Sequence, residues 1–352
     1  MTTTKPAKAA TRQWAENTPA IFLTWQAHRR TLTLAEVLGL ELIVIQPRFK
    51  NRLLKYWPLM WATWKLLRAR RPRLLFVQNP SIVLALWAGL VGRLQGSTVV
   101  VDRHSNFAQH PSKKYHPVYM LFRALSDISL RLAHITIVTN PQLADIVTKK
   151  GGTPAVMPDR LPDLGATRAH QIDSERPFTV VFICTFADDE PVEEVFDAAR
   201  RLGDDFRIKV TGNAQRFLAA RERSATIPDN IELLGFVDEA DYPNLLIDAD
   251  AIMPLTTLDY CLNCGAYEAI SVGTPLIMSD TLAIRDYFST GVEYTALNPI
   301  AIAEAVRRMA GNSDKRRAEI RSLRKQFEAQ WQDIEQRLVD QIDAVAPKTP
   351  LP

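Results

Sequence analysis

The sequence predicts two Rossmann-like α/β domains, each built on a parallel sheet. Three observations predict it. Short, continuously apolar, β-rich runs alternate with helix-length segments almost from end to end, which is the pattern of a parallel sheet covered on both faces. The alternation breaks once, at a stretch crowded with Gly and Pro over 151–166. Finally, 352 residues exceed what one hydrophobic core usually fills.

In the first half, strands are expected at 20–24, 41–45, 73–78, 97–101 and 134–138, with helices at 29–39, 52–70, 81–94, 114–132 and 141–150. The segment GGTPAVMPDRLPDLGA then reads as a linker. The second half restarts the alternation, with strands at 177–183, 206–211, 231–234, 250–253 and 275–278 and helices at 190–202, 239–248, 265–272 and 298–310. A long, charged helix is expected over 313–344. The domains are therefore drawn at 1–165 and 166–312, with residues 313–352 a helix and tail packing back on the first domain. Enzymes that transfer sugars, periplasmic binding proteins and some sugar-nucleotide epimerases share this layout.

Composition is ordinary and globular, with 47% apolar and 23% charged residues. Three cysteines, Cys184, Cys261 and Cys264, make no even disulfide framework and point to a reducing, cytoplasmic setting. The first residues, MTTTKPAKAATRQWAENTP, lack the apolar stretch of a signal peptide and read as a short disordered leader, which argues against the periplasmic class. The longest apolar run, Ile82 to Gly92, is about half the roughly 20 residues that span a bilayer. Cys261-x-x-Cys264 lacks further ligands for zinc and the βαβ context of a redox dithiol. GxGxxG is missing, which argues against a dinucleotide-binding dehydrogenase.

The net charge of +4 divides unevenly: residues 1–165 hold 23 Lys and Arg against 8 acids, and residues 166–352 hold 20 against 31. A basic half implies an anionic partner, a membrane surface or nucleic acid. The segment 48–73 concentrates it, with three Trp, one Tyr, nine basic residues and no acid. Basic amphipathic helices with aromatic faces lie in membrane interfaces. The plain alternative is a sheet-packed helix with a solvated basic face. No nucleic-acid motif accompanies the patch, so the partner expected is an anionic membrane, with the protein peripheral on its inner face.

Two positions in the first half sit where open α/β sheets hold ligands, just past the carboxyl ends of strands. Asp102 and His104 follow the strand 97–101 and are candidates for a catalytic base, the plain alternatives being a helix or loop cap for Asp102 and a satisfied surface histidine for His104. His28, Arg29 and Arg30 follow the strand 20–24; cations at a helix start oppose its dipole, so a phosphate clamp explains them better than a solvated turn.

The most informative segment is Asp259-Tyr-Cys-Leu-Asn-Cys-Gly-Ala-Tyr-Glu-Ala-Ile-Ser-Val-Gly-Thr-Pro-Leu-Ile-Met-Ser-Asp280. A loop enters a helix near Gly265, which ends at Gly273 in a left-handed cap, and a strand follows. The helix start can hold a diphosphate through its N–H groups, and Glu268 lies one turn in, suited to accept from two vicinal ribose hydroxyls.

From Glu268 to Asp280 this segment resembles the "EAMAxGxPVVxSD" signature of glycosyltransferase family 4. Val77-Gln-Asn-Pro-Ser, Val101-Asp-Arg-His-Ser-Asn-Phe, Asp159-Arg-Leu-Pro, Thr185-Phe-Ala-Asp-Asp-Glu190, Thr211-Gly212 and Asp241-Tyr-Pro-Asn-Leu-Leu are similar, in order, to chitobiosyldiphosphodolichol β-mannosyltransferases. The resemblance implies a GT-B glycosyltransferase whose two parallel sheets face a central cleft. It implies a UDP- or GDP-sugar donor on the second domain and a polyprenyl-diphosphate-linked saccharide acceptor on the first, with no metal or other cofactor. It assigns donor contacts to Glu268, to Leu262, Asn263, Cys264 and Gly265 in the loop before it, and to Tyr260, Thr185, Phe236 and Val237. Arg160 is left to meet a phosphate, because the stretch after the first strand of the second domain reads TFADDEP and holds no cation. The family's second donor Glu is Tyr260 here. That departure keeps open a catalytically silent anchoring subunit, and the layout keeps open a sugar-nucleotide epimerase.

Overall fold

A computed structural model describes residues 2–4, 20–26, 28–46, 54–78, 81–103, 117–165, 175–220 and 227–346. The chain divides into two compact units, Met1–Pro158 with Asp333–Pro352, and Asp159–Gln332.

The first unit runs β1 (Thr2–Thr4), β2 (Ala20–Thr24), α1 (Arg29–Val37), β3 (Glu41–Val44), α2 (Tyr56–Arg70), β4 (Leu74–Gln78), α3 (Ile82–Leu94), β5 (Thr98–Asp102), α4 (Pro117–Leu132), β6 (Ile135–Val138), α5 (Pro141–Lys149) and β7 (Pro154–Val156). The sheet order is β1-β3-β2-β4-β5-β6-β7. Strands β2 to β7 are parallel, and β1 pairs antiparallel on β3, Thr3 opposite Ile43. Two features depart from the sequence expectation. Part of the expected leader is an edge strand, and β7 lies inside the expected linker, docked on β6. Strands β4 and β5 are buried along their whole length, so apolar runs form the centre and leave no face for alternation. Helices start where the sequence supplies caps: Ser81 accepts from the Leu84 N–H, and Asn140, ahead of Pro141, accepts from Leu143.

The second unit runs β8 (Phe178–Phe182), α6 (Val192–Leu202), β9 (Phe206–Thr211), α7 (Gln215–Ala220), β10 (Ile231–Gly235), α8 (Tyr242–Asp248), β11 (Ala251–Met253), α9 (Cys264–Val272), β12 (Leu276–Ser279), α10 (Leu282–Tyr287), β13 (Val292–Thr295) and α11 (Pro299–Gly311). Its sheet is parallel throughout in the order β10-β9-β8-β11-β12-β13. The last helix, α12 (Ser313–Val345), contributes Ile320 and Leu323 to the core under β11 and β12, while its residues from Asp333 onward group with the first unit. Leu161 and Leu164 pack into that same core, which is why residues 159–165 group with the second unit and not with the first.

Both sheets reverse their strand order beside their first long strand, between β2 and β4 in one and between β8 and β11 in the other. At such a reversal the loops leave in opposite directions and open a crevice at the carboxyl ends of the strands.

Candidate functional site

In the second unit, the loops leaving β8, β9, β11 and β12 are joined into one surface at this crevice. The Thr211 hydroxyl accepts from the Cys184 N–H at 3.0 Å and donates to the Cys184 carbonyl at 3.2 Å. The neighbouring Gly212 has φ +87°, and a Cβ there would lie 2.2 Å from that carbonyl, so only glycine fits. The Thr256 hydroxyl donates to Asp189 at 2.9 Å, and the Thr257 N–H to the Asp189 carbonyl at 2.8 Å. Ser279 accepts from the Thr256 N–H at 2.9 Å and donates to the Thr256 carbonyl at 2.8 Å.

Helix α9 enters this surface. Its N-cap, Asn263, is extended, and its first turn holds no acid, so no side chain of that turn offsets the positive end of the dipole. A Cβ on Gly265 would lie 2.8 Å from Ile183 Cδ1 and 3.1 Å from Pro254 Cβ, so a glycine lets the helix start press onto the ends of β8 and β11. The Asn263 Oδ1 is buried without a hydrogen-bond partner. At the far end Gly273 caps the helix in the left-handed region, φ +80°, as the sequence indicated. One turn in, the half-buried Glu268 accepts from the Tyr242 hydroxyl at 2.6 Å.

The other expected donor residues spread around this helix. Leu262 is 6% exposed and belongs to the apolar core, while Cys264 is exposed and Tyr260 half-buried. Phe236 is 80% exposed beyond the end of β10, with Val237 half-buried beside it. Burial, with the neighbouring Cys264, Asp189 and Asp159 adding to it, pushes the Cys261 thiol up to about 12. The same Asp159 precedes the exposed Arg160, which puts that cation on the unit that carries α9. The stretch without a cation, 185–190, closes on itself: the Glu190 carboxylate accepts from the N–H groups of Thr185 and Ala187 at 2.9 and 2.8 Å. Thr185 thus has its amide and hydroxyl engaged by Glu190.

In the first unit, Asp102 ends β5 and is fully buried. Its oxygens accept from Arg30 Nε at 3.0 and 3.3 Å, and Arg30 Nη2 donates to the Met157 carbonyl at 2.8 Å. The sequence had assigned Asp102 to a proton and Arg30 to a phosphate; the structure joins them as a buried ion pair between α1, β5 and the end of β7. Arg29 is exposed, and His28 caps α1 with its N–H donating to Thr31 Oγ1 at 3.4 Å. His104 lies outside the described residues. The next residue after Asp102, Arg103, is buried and donates to Ser126 and Ser129; burial lowers its guanidinium to about 10, opposed by Asp127. Among the described residues, no group of three or more His, Cys, Asp or Glu side chains is placed to hold a metal ion.

Residues 190–342 match the family model described as "Glycosyl transferase-like". No curated protein matches the chain. Among solved structures, sucrose-phosphate synthase from Thermosynechococcus elongatus is similar with a TM-score of 0.73 at 13% identity, covering 93% of this chain and 99% of its own. HepE from Anabaena in complex with UDP and glucose gives 0.70 at 13% identity, covering 92% of each chain. A Listeria monocytogenes chain assigned as a UDP-N-acetylglucosamine 2-epimerase gives 0.57 at 16% identity, covering 95% and 91%.

The chain has the GT-B fold.

The matched segment begins at Glu190 and takes in all of α9. Within this GT-B chain, one residue of the sites and one pairing escaped the sequence reading. Tyr242 carried a signal only as part of the Asp241-Tyr-Pro motif. The partner of Asp102 was named for other chemistry, because a contact across 72 residues depends on strand order.

Proposed function

We propose that this GT-B chain transfers a hexosyl group from a UDP- or GDP-sugar to a polyprenyl-diphosphate-linked saccharide at the cytoplasmic face of a membrane. The single observation that carries the donor reading is α9. Its start lies at the strand-order reversal with no acid in its first turn, and Glu268 is held one turn in. Backbone N–H groups and the helix dipole there suit a diphosphate, and a half-buried carboxylate suits two ribose hydroxyls. HepE, similar in fold, was solved with UDP and glucose, so UDP is the first nucleotide to test.

In this reading the first unit takes the acceptor. Its base is Asp102 or His104; because Arg30 holds Asp102, His104 is the better candidate. Support for a membrane partner is the exposed aromatic surface of α2, where Trp57 is 77% and Trp61 52% exposed, and Lys65 and Arg68 lie over Trp61 and Trp64. No described helix is long and apolar enough to cross a membrane.

The test is a panel of UDP- and GDP-sugars with and without a polyprenyl-diphosphate saccharide, following nucleotide release and product mass. Acceptor-dependent release with a one-hexose gain supports the reading. Glu268→Ala should abolish transfer and weaken nucleotide binding by roughly 1.5–3 kcal/mol, the size of a hydrogen bond to a charged group. The likeness to the Listeria chain sustains a second reading, a sugar-nucleotide epimerase; conversion of the sugar nucleotide without acceptor would select it.

A further inference from the structure

Glu268 is the one carboxylate in the sequence of α9, long and rotatable, and a ligand that offers two vicinal hydroxyls needs its oxygens in one fixed plane. Something has to hold it. The Tyr242 hydroxyl donates to Glu268 Oε2 at 2.6 Å, a short hydrogen bond of the kind a charged acceptor gives. Tyr242 is itself firmly placed. It opens α8, its N–H donates to the Asp238 carbonyl at 2.9 Å, and its ring packs partly buried against the core shared by α8 and α9. Leu246 and Ile247, on the next turn, are buried, and the Thr274 hydroxyl just past α9 donates to the Leu246 carbonyl at 2.8 Å. The two helices are therefore fixed to each other, and the phenol spans between them.

We infer that Tyr242 is a positioning residue: it fixes the Glu268 carboxylate so that the site selects a ribose over a deoxyribose nucleotide. This rests on the proposed nucleotide site. A phenol that merely satisfied its own hydroxyl would matter to folding alone. A phenol that orients the carboxylate matters to the hydroxyls the carboxylate holds, and to nothing else in the ligand.

The experiment compares UDP with 2′-deoxy-UDP by calorimetry on the full chain, for the wild type, Tyr242→Phe, Glu268→Ala and the double variant, with thermal melts alongside. Tyr242→Phe should weaken UDP about tenfold, the size of one hydrogen bond to a charged group, and weaken 2′-deoxy-UDP, which keeps one of the two hydroxyls, by clearly less. In the Glu268→Ala background the same change should have no further effect, since the cycle then contains no carboxylate to orient. Equal loss for both nucleotides, or additive losses in the double variant, overturns the inference and makes Tyr242 structural. If Glu268→Ala loses UDP while Tyr242→Phe binds both nucleotides as the wild type does, the inference alone fails. If Glu268→Ala binds UDP normally, the nucleotide site itself is elsewhere and both readings fall.

Discussion

The Glu190 carboxylate lies against the backbone of Thr185, accepting its N–H at 2.9 Å and its hydroxyl at 3.2 Å. It also accepts from Ala187 N–H at 2.8 Å and from the Cys184 thiol at 3.3 Å, around Phe186 in the left-handed region at φ +61°. Backbone amides arranged this way form an anion-binding concavity, and here the chain supplies its own anion. A second anion would meet Asp188, Asp189 and Glu190 at this loop, which agrees with the proposal that a diphosphate is held at the start of α9 and not here. Glu190→Ala should therefore loosen the loop and lower stability by about 1–3 kcal/mol, the cost of leaving these donors without an acceptor. Urea denaturation checks it, and Glu190→Gln, which keeps one acceptor, should lose less.

The buried pair of Arg30 and Asp102 makes a second test. Their side chains are 7% and 0% exposed, so removing one leaves the other charged and buried. Arg30→Ala or Asp102→Ala should cost about 3–5 kcal/mol, whereas replacing both with apolar residues of similar volume should cost far less. Denaturant melts of the two singles and the double decide it. An Asp102→Asn protein of undiminished stability that has lost turnover would return Asp102 to the role of proton acceptor.

Legibility follows from where each signal resides. Strands β4, β5, β8 and β12 are apolar runs, and α9 ends at a glycine whose conformation the motif itself announces, so one-dimensional pattern suffices for them. Strand β7 escaped notice because it sits among Gly151, Gly152 and Pro158, where local composition says turn, and β13 because its four residues, VEYT, are not a continuous apolar run. Thr2–Thr4 becomes a strand only because β3 offers an edge, which is tertiary information. In the site, Glu268 was legible from its place in a motif. Its orientation by Tyr242, 26 residues away, was not, since it depends on how α8 meets α9.

The three cysteines should differ in reactivity. Cys264 is exposed at the first residue of α9. Cys184 is buried, and burial with Glu190 beside it pushes its thiol well above the ordinary range, while Cys261 is pushed up to about 12. Only the thiolate is alkylated, so near pH 8 iodoacetamide should label Cys264 and spare the other two until the chain is denatured. Raising the pH should bring Cys261 into reaction only on approach to about 12. Peptide mass spectrometry reads the order. Because Cys264 begins the helix proposed to hold the diphosphate, UDP should slow its labelling, and an unchanged rate under saturating UDP would count against that placement.

The outer surface of α2 makes the last test. Burial claims Leu59, Thr63, Leu66 and Leu67 for the sheet, which turns Trp57 and Trp61 outward at 77% and 52% exposure. Trp61 stacks on Trp64 at 4.9 Å, with Lys65 and Arg68 over their faces at 5.2 and 5.4 Å. Arg70 is engaged with Glu41 at 3.2 Å, so its charge counts for less than that of Lys55, Lys65 and Arg68. Flat aromatics beside cations suit the headgroup layer, where each basic residue adds about 1 kcal/mol against an anionic surface. Vesicles of phosphatidylcholine with increasing phosphatidylserine should sediment the protein in proportion to their charge. Salt should release it, since exposed charges are screened within about 8–10 Å at physiological ionic strength. Replacing Lys55, Lys65 and Arg68 by Gln should weaken the charge-dependent part, and replacing Trp57 and Trp61 by Ala the part that survives salt. Both variants should keep their nucleotide affinity, because α2 and α9 belong to different units. Equal sedimentation of wild type and both variants would leave α2 a sheet-packed helix with a solvated basic face.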